Sequence, residues 1–253
     1  MGNASTKRYA RHIVLKKVGA AGQRKLLASR VLVIGAGGLG SPAALYLAAA
    51  GVGTIGIADG DSVELSNLQR QILYEPDDVG ALKAGAARAR LETFNPDVSV
   101  EAHETFMTPE NIQGVVEKYD FVVDGTDSAS SKFLINDACV MARKPFVHAG
   151  IGSYYGQMMT CVPLETPCCR CVFGEPDETQ GRRGGVIGAV CGVIGALEAM
   201  EAIKYILGLG DLIAGRLLTY DALGASFRSI RLAGRDPSCP VCGDEPTITT
   251  PLG

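Results

Sequence analysis

Over the first 150 positions of this 253-residue chain, short unbroken apolar runs alternate with longer amphipathic stretches. VLVIG at 31–35 is all apolar and closes on glycine, the pattern of a strand covered on both faces. TIGIAD at 54–59, VSVEAH at 98–103, YDFVVDGTD at 119–127 and PFVHAG at 145–150 read as further strands. Between them, 38–51 is an Ala/Leu-rich helix, 82–95 is an amphipathic helix stopped ahead of Pro96, and 129–142 is helical again. Residues 5–28, with basic side chains along one side, form a helical lead-in. Strand and helix in alternation predict βαβ units and a twisted, parallel sheet.

The pattern changes past position 150. GQMMTCV at 156–162, RLLTYDA at 216–222 and SFRSIRL at 226–232 read as antiparallel strands, so the parallel part continues into an antiparallel one. Residues 174–185, polar and rich in glycine, read as a mobile loop. The most apolar helix, 186–207, carries Glu198, Glu201 and Lys204, which makes it a core helix and not a membrane span. With no repeat, low-complexity tract or linker, positions 1–253 form one domain, with N-terminal helices over 1–29, a nucleotide-binding part over 30–150 and a third part over 151–253.

Composition narrows the classes. A net charge of −3 and a pI near 5.7 exclude the basic excess of a nucleic-acid binder. The N-terminus lacks the apolar core of a signal peptide, and the match of Gly2, Ser5 and Thr6 to a myristoylation pattern is too short to imply an anchor. Eight cysteines without a secretory signal point to reduced thiols in the cytoplasm.

Two sets of residues carry chemistry. Gly35, Gly37, Gly38 and Gly40 lie between a strand and a helix in a Rossmann-like phosphate loop, where backbone N–H groups and the helix dipole favour an anion. Asp59, ending the next strand, is placed to accept from a ribose hydroxyl. That much suits NAD as well as ATP. Arg11, Arg70 and Lys83 add the cations a triphosphate needs as pyrophosphate leaves, and Asp127, at the end of the fourth strand, could hold magnesium or cap the following helix. Cys168/Cys171 and Cys239/Cys242 form two C-x-x-C pairs with the spacing of a four-cysteine structural zinc site. Cys139 and Cys161 read as core, Arg182 and Arg183 as solvated loop charges, and His12, His103 and His148 as without a catalytic role.

Taken in order, RYAR (8–11), GAGGLGSP (35–42), DGDSVELSNLQRQ (59–71), VGALK (79–83), DGTDS (124–128), CCRC (168–171), GVIGALEAMEAIK (192–204) and CPVC (239–242) resemble the MoeB/ThiF/HesA adenylyltransferases, bacterial relatives of ubiquitin-activating enzymes, most of all the MoeB type of molybdopterin-synthase adenylyltransferase. The resemblance implies ATP, Mg2+ and Zn2+ as cofactors. The partner it implies is a ubiquitin-like sulfur carrier (of the molybdopterin or thiamine pathway) ending in Gly-Gly, whose C-terminal carboxylate is adenylated. It implies that Asp59 and Asp61 serve the nucleotide, that Asn67, Arg70 and Lys83 contact the phosphates, and that Asp127 positions magnesium. It also implies that Arg11 reaches the neighbouring subunit of a homodimer, and that 151–253 binds the carrier and the zinc. Gly181 stands where many members carry a loop cysteine, and Ser128 where they often carry Asn. Cys191, the nearest thiol, reads as a buried small residue, so a thiol intermediate on that loop is not expected, and adenylation does not need one. Two readings stay open beside this one: an NAD-linked oxidoreductase using the same glycine loop, and a non-catalytic binding subunit.

Overall fold

The computed structural model describes residues 2–176 and 184–252. Among these, one eight-stranded sheet has the order β3-β2-β1-β4-β5-β6-β7-β8. The strands are β1 (Arg30–Ile34), β2 (Thr54–Ala58), β3 (Ser99–His103), β4 (Phe121–Asp124), β5 (Phe146–Gly152), β6 (Tyr155–Cys161), β7 (Arg216–Asp221) and β8 (Ser226–Arg231). β1 to β5 pair in parallel, and β5 to β8 pair antiparallel. The helices are α1 (Asn3–Arg8), α2 (Ala10–Ile13), α3 (Gly19–Ala28), α4 (Gly40–Ala50), α5 (Lys83–Phe94), α6 (Ile112–Val116), α7 (Ala129–Met141), α8 (Cys169–Phe173) and α9 (Gly188–Leu207).

The apolar run of β1 is buried on both sides, as its pattern predicts. Val31 and Val33 join a core with α3, α4, α5 and α9, while Leu32 and Ile34 join a second core with α6 and α7. The lead-in is three helices and not one. It breaks over 14–18 and resumes at Gly19, whose φ of 58° is the left-handed conformation glycine adopts without strain. The fourth strand is also shorter than its apolar pattern. It stops at Asp124: Gly125 N–H makes the last bond to β1, donating to Ile34 O at 2.8 Å, and Thr126 N–H then turns back on Asp124 Oδ1 at 3.1 Å.

Helix α9 lies within the core, and none of the described helices is long and apolar enough to cross a membrane. Its two acids differ. Glu201 accepts from Thr160 Oγ1 at 2.5 Å and from Ile213 N–H at 2.7 Å, and pairs with Lys204. Glu198 is fully buried, with no hydrogen-bond partner for either carboxylate oxygen among the described residues. Burial, reinforced by the negative charge of Asp124, pushes its carboxyl well above the usual range. A raised folded-state value means that Glu198 costs stability once pH exceeds its unfolded value near 4.3, at about 1.4 kcal/mol per pH unit until the folded value is reached. Glu198→Gln is therefore expected to raise the Tm at pH 7 and to lose that gain near pH 4. Equal melting shifts at both pH values would show that the side chain is not carrying a proton.

Candidate functional site

The order of the sheet reverses between β1 and β4, and the loops leaving their carboxyl ends face each other there. Ligands of open α/β sheets bind at such a point. The loop after β1 turns at Gly35, with φ 87°, where a Cβ would meet the Gly125 carbonyl at 2.8 Å. A Cβ on Gly40 would run into the Gly35 carbonyl oxygen. These glycines allow two loops and a helix start to touch backbone to backbone. Helix α4 has no side-chain cap, and no described residue accepts from the N–H groups of Gly37, Gly38 and Leu39. Those free donors, with the helix dipole behind them, define an anion cradle.

Asp59 follows β2 directly. Its Oδ2 accepts from Ala36 N–H at 2.8 Å and its Oδ1 from Asp61 N–H at 2.9 Å, so it is locked beside the cradle, and burial raises its carboxyl. The segment crossing from β2 to α5 is pinned over the loop by Tyr74, whose hydroxyl donates to Ala36 O at 2.9 Å. Lys83 is buried at the start of α5 and donates from Nζ to Asp61 Oδ2 at 3.0 Å. Arg70 lies against Gly38, where a Cβ would be 3.6 Å from its Cγ and Cδ, and its guanidinium donates to Ser66 O at 3.1 Å. Asn67 is buried in a short 3-10 turn. Its Oδ1 accepts from Glu64 N–H at 3.2 Å and its Nδ2 donates to Ser66 Oγ at 3.3 Å, so its amide shapes the turn from which Arg70 extends.

Asp127 is exposed in the loop after β4, three residues beyond the strand end and not at it. It is not the helix cap either. Ser128 is the N-cap of α7, its Oγ accepting from Ser131 N–H at 3.2 Å, which leaves the Asp127 carboxylate outside that role. Arg11 is exposed on α2 and is not among the residues gathered at the cradle. Gly181, Arg182 and Arg183 lie outside the described residues. Cys191 is buried as expected, but its Sγ sits beneath the loop, 3.0 Å from where a Cβ on Gly38 would be.

Three features escape a reading of the chain alone. Gln71 is buried against Gly37, its Oε1 without a hydrogen-bond partner among the described residues. Glu198 is an orphaned carboxylate. Asp124 gathers four hydrogen bonds, one of them from His148. Only Gln71 had a signal, its place within SNLQRQ.

The four cysteines meet as their spacing predicts. Their Sγ atoms all lie within 4.8 Å of one another, with Cys168–Cys171 at 3.9 Å, Cys168–Cys239 at 3.7 Å and Cys171–Cys242 at 3.3 Å. Four thiolates around zinc at about 2.3 Å stand about 3.8 Å apart, so the cluster fits a closed tetrahedral site. A hydrogen bond from the Cys242 thiol outweighs burial and holds the Cys168 thiol below the usual range. The cluster is docked on α7. Asn136 Oδ1 accepts from Cys169 N–H at 2.7 Å, and Arg170 makes a two-pronged pair with Asp137 at 2.9 and 2.8 Å.

This arrangement is that of an α/β protein with a glycine-rich anion cradle at the switch point of its sheet. The chain belongs to the ThiF family, whose family model matches residues 9–241. It is 45% identical to an adenylyltransferase and sulfurtransferase MOCS3 of Culex quinquefasciatus, across 98% of this chain and 58% of that one. It is also 45% identical to a sulfur carrier protein adenylyltransferase of Thermus thermophilus, across 95% of this chain and 92% of that one. The solved structure of E. coli MccB with ATP matches it with a TM-score of 0.75 at 28% identity, covering 87% of this chain and 68% of that one. The chain thus spans less than two thirds of the MOCS3 relative's length.

Proposed function

We propose that this chain uses MgATP to adenylate the C-terminal glycine carboxylate of a ubiquitin-like sulfur carrier ending in Gly-Gly, with release of pyrophosphate. The single observation that carries the reading is the gathering of Arg70 and Lys83 around one cradle of free backbone donors, with the loop that bears Asp127 laid against it. The names of the MOCS3 and Thermus relatives, and the ATP named with MccB, support it. A nicotinamide cofactor explains neither the buried lysine nor the arginine against Gly38.

The chemistry asks little of the protein. A carrier carboxylate oxygen attacks the α-phosphorus, the bond from that phosphorus to the bridging oxygen breaks, and pyrophosphate leaves with the electron pair. The nucleophile is already ionised, so no base is required, and catalysis is positioning and charge stabilisation. In this reading the loop N–H groups hold phosphate oxygens, Asp59 holds the ribose, and Arg70 and Lys83 take up charge on the leaving pyrophosphate. Asp127 would hold magnesium, which neutralises phosphate oxygens when bound. The four cysteines would hold a structural zinc, with no open ligand position.

A homodimer completes the reading. Tyr46 and Met200 are 57% and 49% exposed, and with Ile203 and His12, the residue after Arg11, they line a groove of about 380 Å3. A second copy seated there would carry Arg11 to its neighbour's nucleotide. The free thiols suit a reducing compartment such as the cytoplasm. The test is ATP–pyrophosphate exchange with purified Gly-Gly carriers of the molybdopterin, thiamine and other sulfur routes. Exchange that requires one carrier, and fails when its last glycine is removed, is the expected result. No exchange with any carrier, in zinc-loaded dimeric protein, would overturn the proposal in favour of a binding subunit.

A further inference from the structure

His148 plays no part in the reaction as written, yet it is one of three residues that converge on a single buried carboxylate. Asp124 ends β4 with its side chain 1% exposed. Its Oδ1 accepts from Thr126 N–H at 3.1 Å and from Thr126 Oγ1 at 2.6 Å. Its Oδ2 accepts from His148 Nδ1 at 3.0 Å and from Lys132 Nζ at 3.2 Å. An ionised carboxylate only accepts, so this contact places the imidazole proton on Nδ1. Burial opposes the Asp124 charge, but the Lys132 ammonium and the His148 hydrogen bond outweigh it and hold the carboxyl at about 2. Burial also lowers His148, which keeps it a neutral donor. Lys132 is anchored a second time, donating to Ala149 O at 2.5 Å.

The two oxygens of Asp124 do different things. Oδ2 is clamped to β5 by His148 and to α7 by Lys132. Oδ1 holds the turn that begins at Asp124 and runs on to Asp127. That turn is pressed on the phosphate loop, since a Cβ on Gly125 would be 2.5 Å from Gly35 O and 3.0 Å from Gly40 N. Asp127 follows Thr126 directly, and the start of α7 is fixed on its other side by the Ser128 cap. The backbone position from which Asp127 extends is therefore set by a turn whose own anchor is oriented by His148 and Lys132.

We infer that His148 and Lys132 are positioning residues which, acting through Asp124, fix the 124–127 turn and aim Asp127 at the metal-bound triphosphate. The inference rests on the adenylation reading and deepens it. A plain ion pair that only ties β4 to β5 and α7 would affect stability and nothing else.

The test compares His148→Leu, which removes the donor and keeps bulk, with His148→Asn, whose side-chain amide can donate from near the Nδ1 position. Three quantities are read for each: the melting curve, the Mg2+ dependence of carrier-dependent ATP–pyrophosphate exchange, and MgATP affinity by calorimetry. Loss of the donor is expected to raise the Mg2+ concentration at half-maximal exchange and weaken MgATP roughly ten- to hundredfold, the range seen when the partner that orients a metal ligand is lost. The KM for the carrier should stay unchanged, and Asn should recover most of both losses. The inference is overturned if His148→Leu keeps the parental Mg2+ midpoint and MgATP affinity, whatever its melting temperature, or if a stably folded Asn variant recovers neither. If His148→Leu does not fold, Lys132→Met is read in the same way. A parent chain that exchanges with no carrier defeats the adenylation reading and this one together. An active parent whose variants keep its Mg2+ midpoint and MgATP affinity defeats this one alone.

Discussion

Arg70→Ala and Asp127→Ala should each cut carrier-dependent ATP–pyrophosphate exchange by at least about a hundredfold, the effect of losing one preorganised charge at a developing anion. Neither should shift the melting curve measurably. Among the described residues the Arg70 guanidinium makes one hydrogen bond, to the Ser66 carbonyl. Asp127 is exposed and does not cap α7. Substitutions at such places alter stability by about 0.5 kcal/mol or less. Lys83 is a less clean probe, because it is buried and paired with Asp61, so its removal strands a partner and mixes folding with function. Normal turnover in both the Arg70 and Asp127 variants, measured by exchange at saturating ATP, would remove these residues from the site.

The second large effect is expected at the cysteines. The purified chain should carry about one zinc, and Cys239→Ser or exhaustive chelation should lower the Tm by more than about 10 °C while exposing the segment after β8 to proteases. Structural zinc contributes on the order of 10 kcal/mol in small domains that fold around it. Here the cost should fall mainly on the tail, because the rest of the chain has two cores of its own. The tail reaches the sheet core through Cys239, Val241 and Cys242, which are buried beside Cys168, Cys169 and α7. Without a metal, four thiols within 4.8 Å of one another face mutual repulsion as they ionise. Metal analysis with the melting curve decides the matter: a zinc-free preparation that melts like the loaded one would refute a structural metal.

β1, β2 and β4 were legible because each is an apolar run buried along nearly its whole length, while β3, at the sheet edge with the sequence SVEAH, was legible from its place in the alternation with helices. The phosphate loop was legible because its glycines are a local requirement: Gly35 turns left-handed, and Gly40 leaves room for a carbonyl. The cysteine pairs were legible because metal ligands are few and regularly spaced. The end of β4 was less so, since apolar pattern does not register the moment a backbone N–H turns away from the ladder, as that of Thr126 does. Asp127 accordingly lies in a loop and not at a strand end. The break at 14–18 escaped for a similar reason, since a helical composition runs across it.

By itself, then, the sequence determined the fold class, the order from parallel to antiparallel strands, the phosphate loop and the four-cysteine set. Each of these follows from residue type and short-range spacing, which act within a few positions of one another. Only the tertiary structure decided which polar side chains share a space. His148 and Asp124 lie 24 residues apart on neighbouring strands, and Lys132 reaches them from α7. Glu198 comes from another helix, and its missing partners show only once that helix is packed. Whether such a group is a proton carrier, an anchor or an aiming device depends on what else is buried beside it. Burial is a property of the assembled core and of no single stretch of chain.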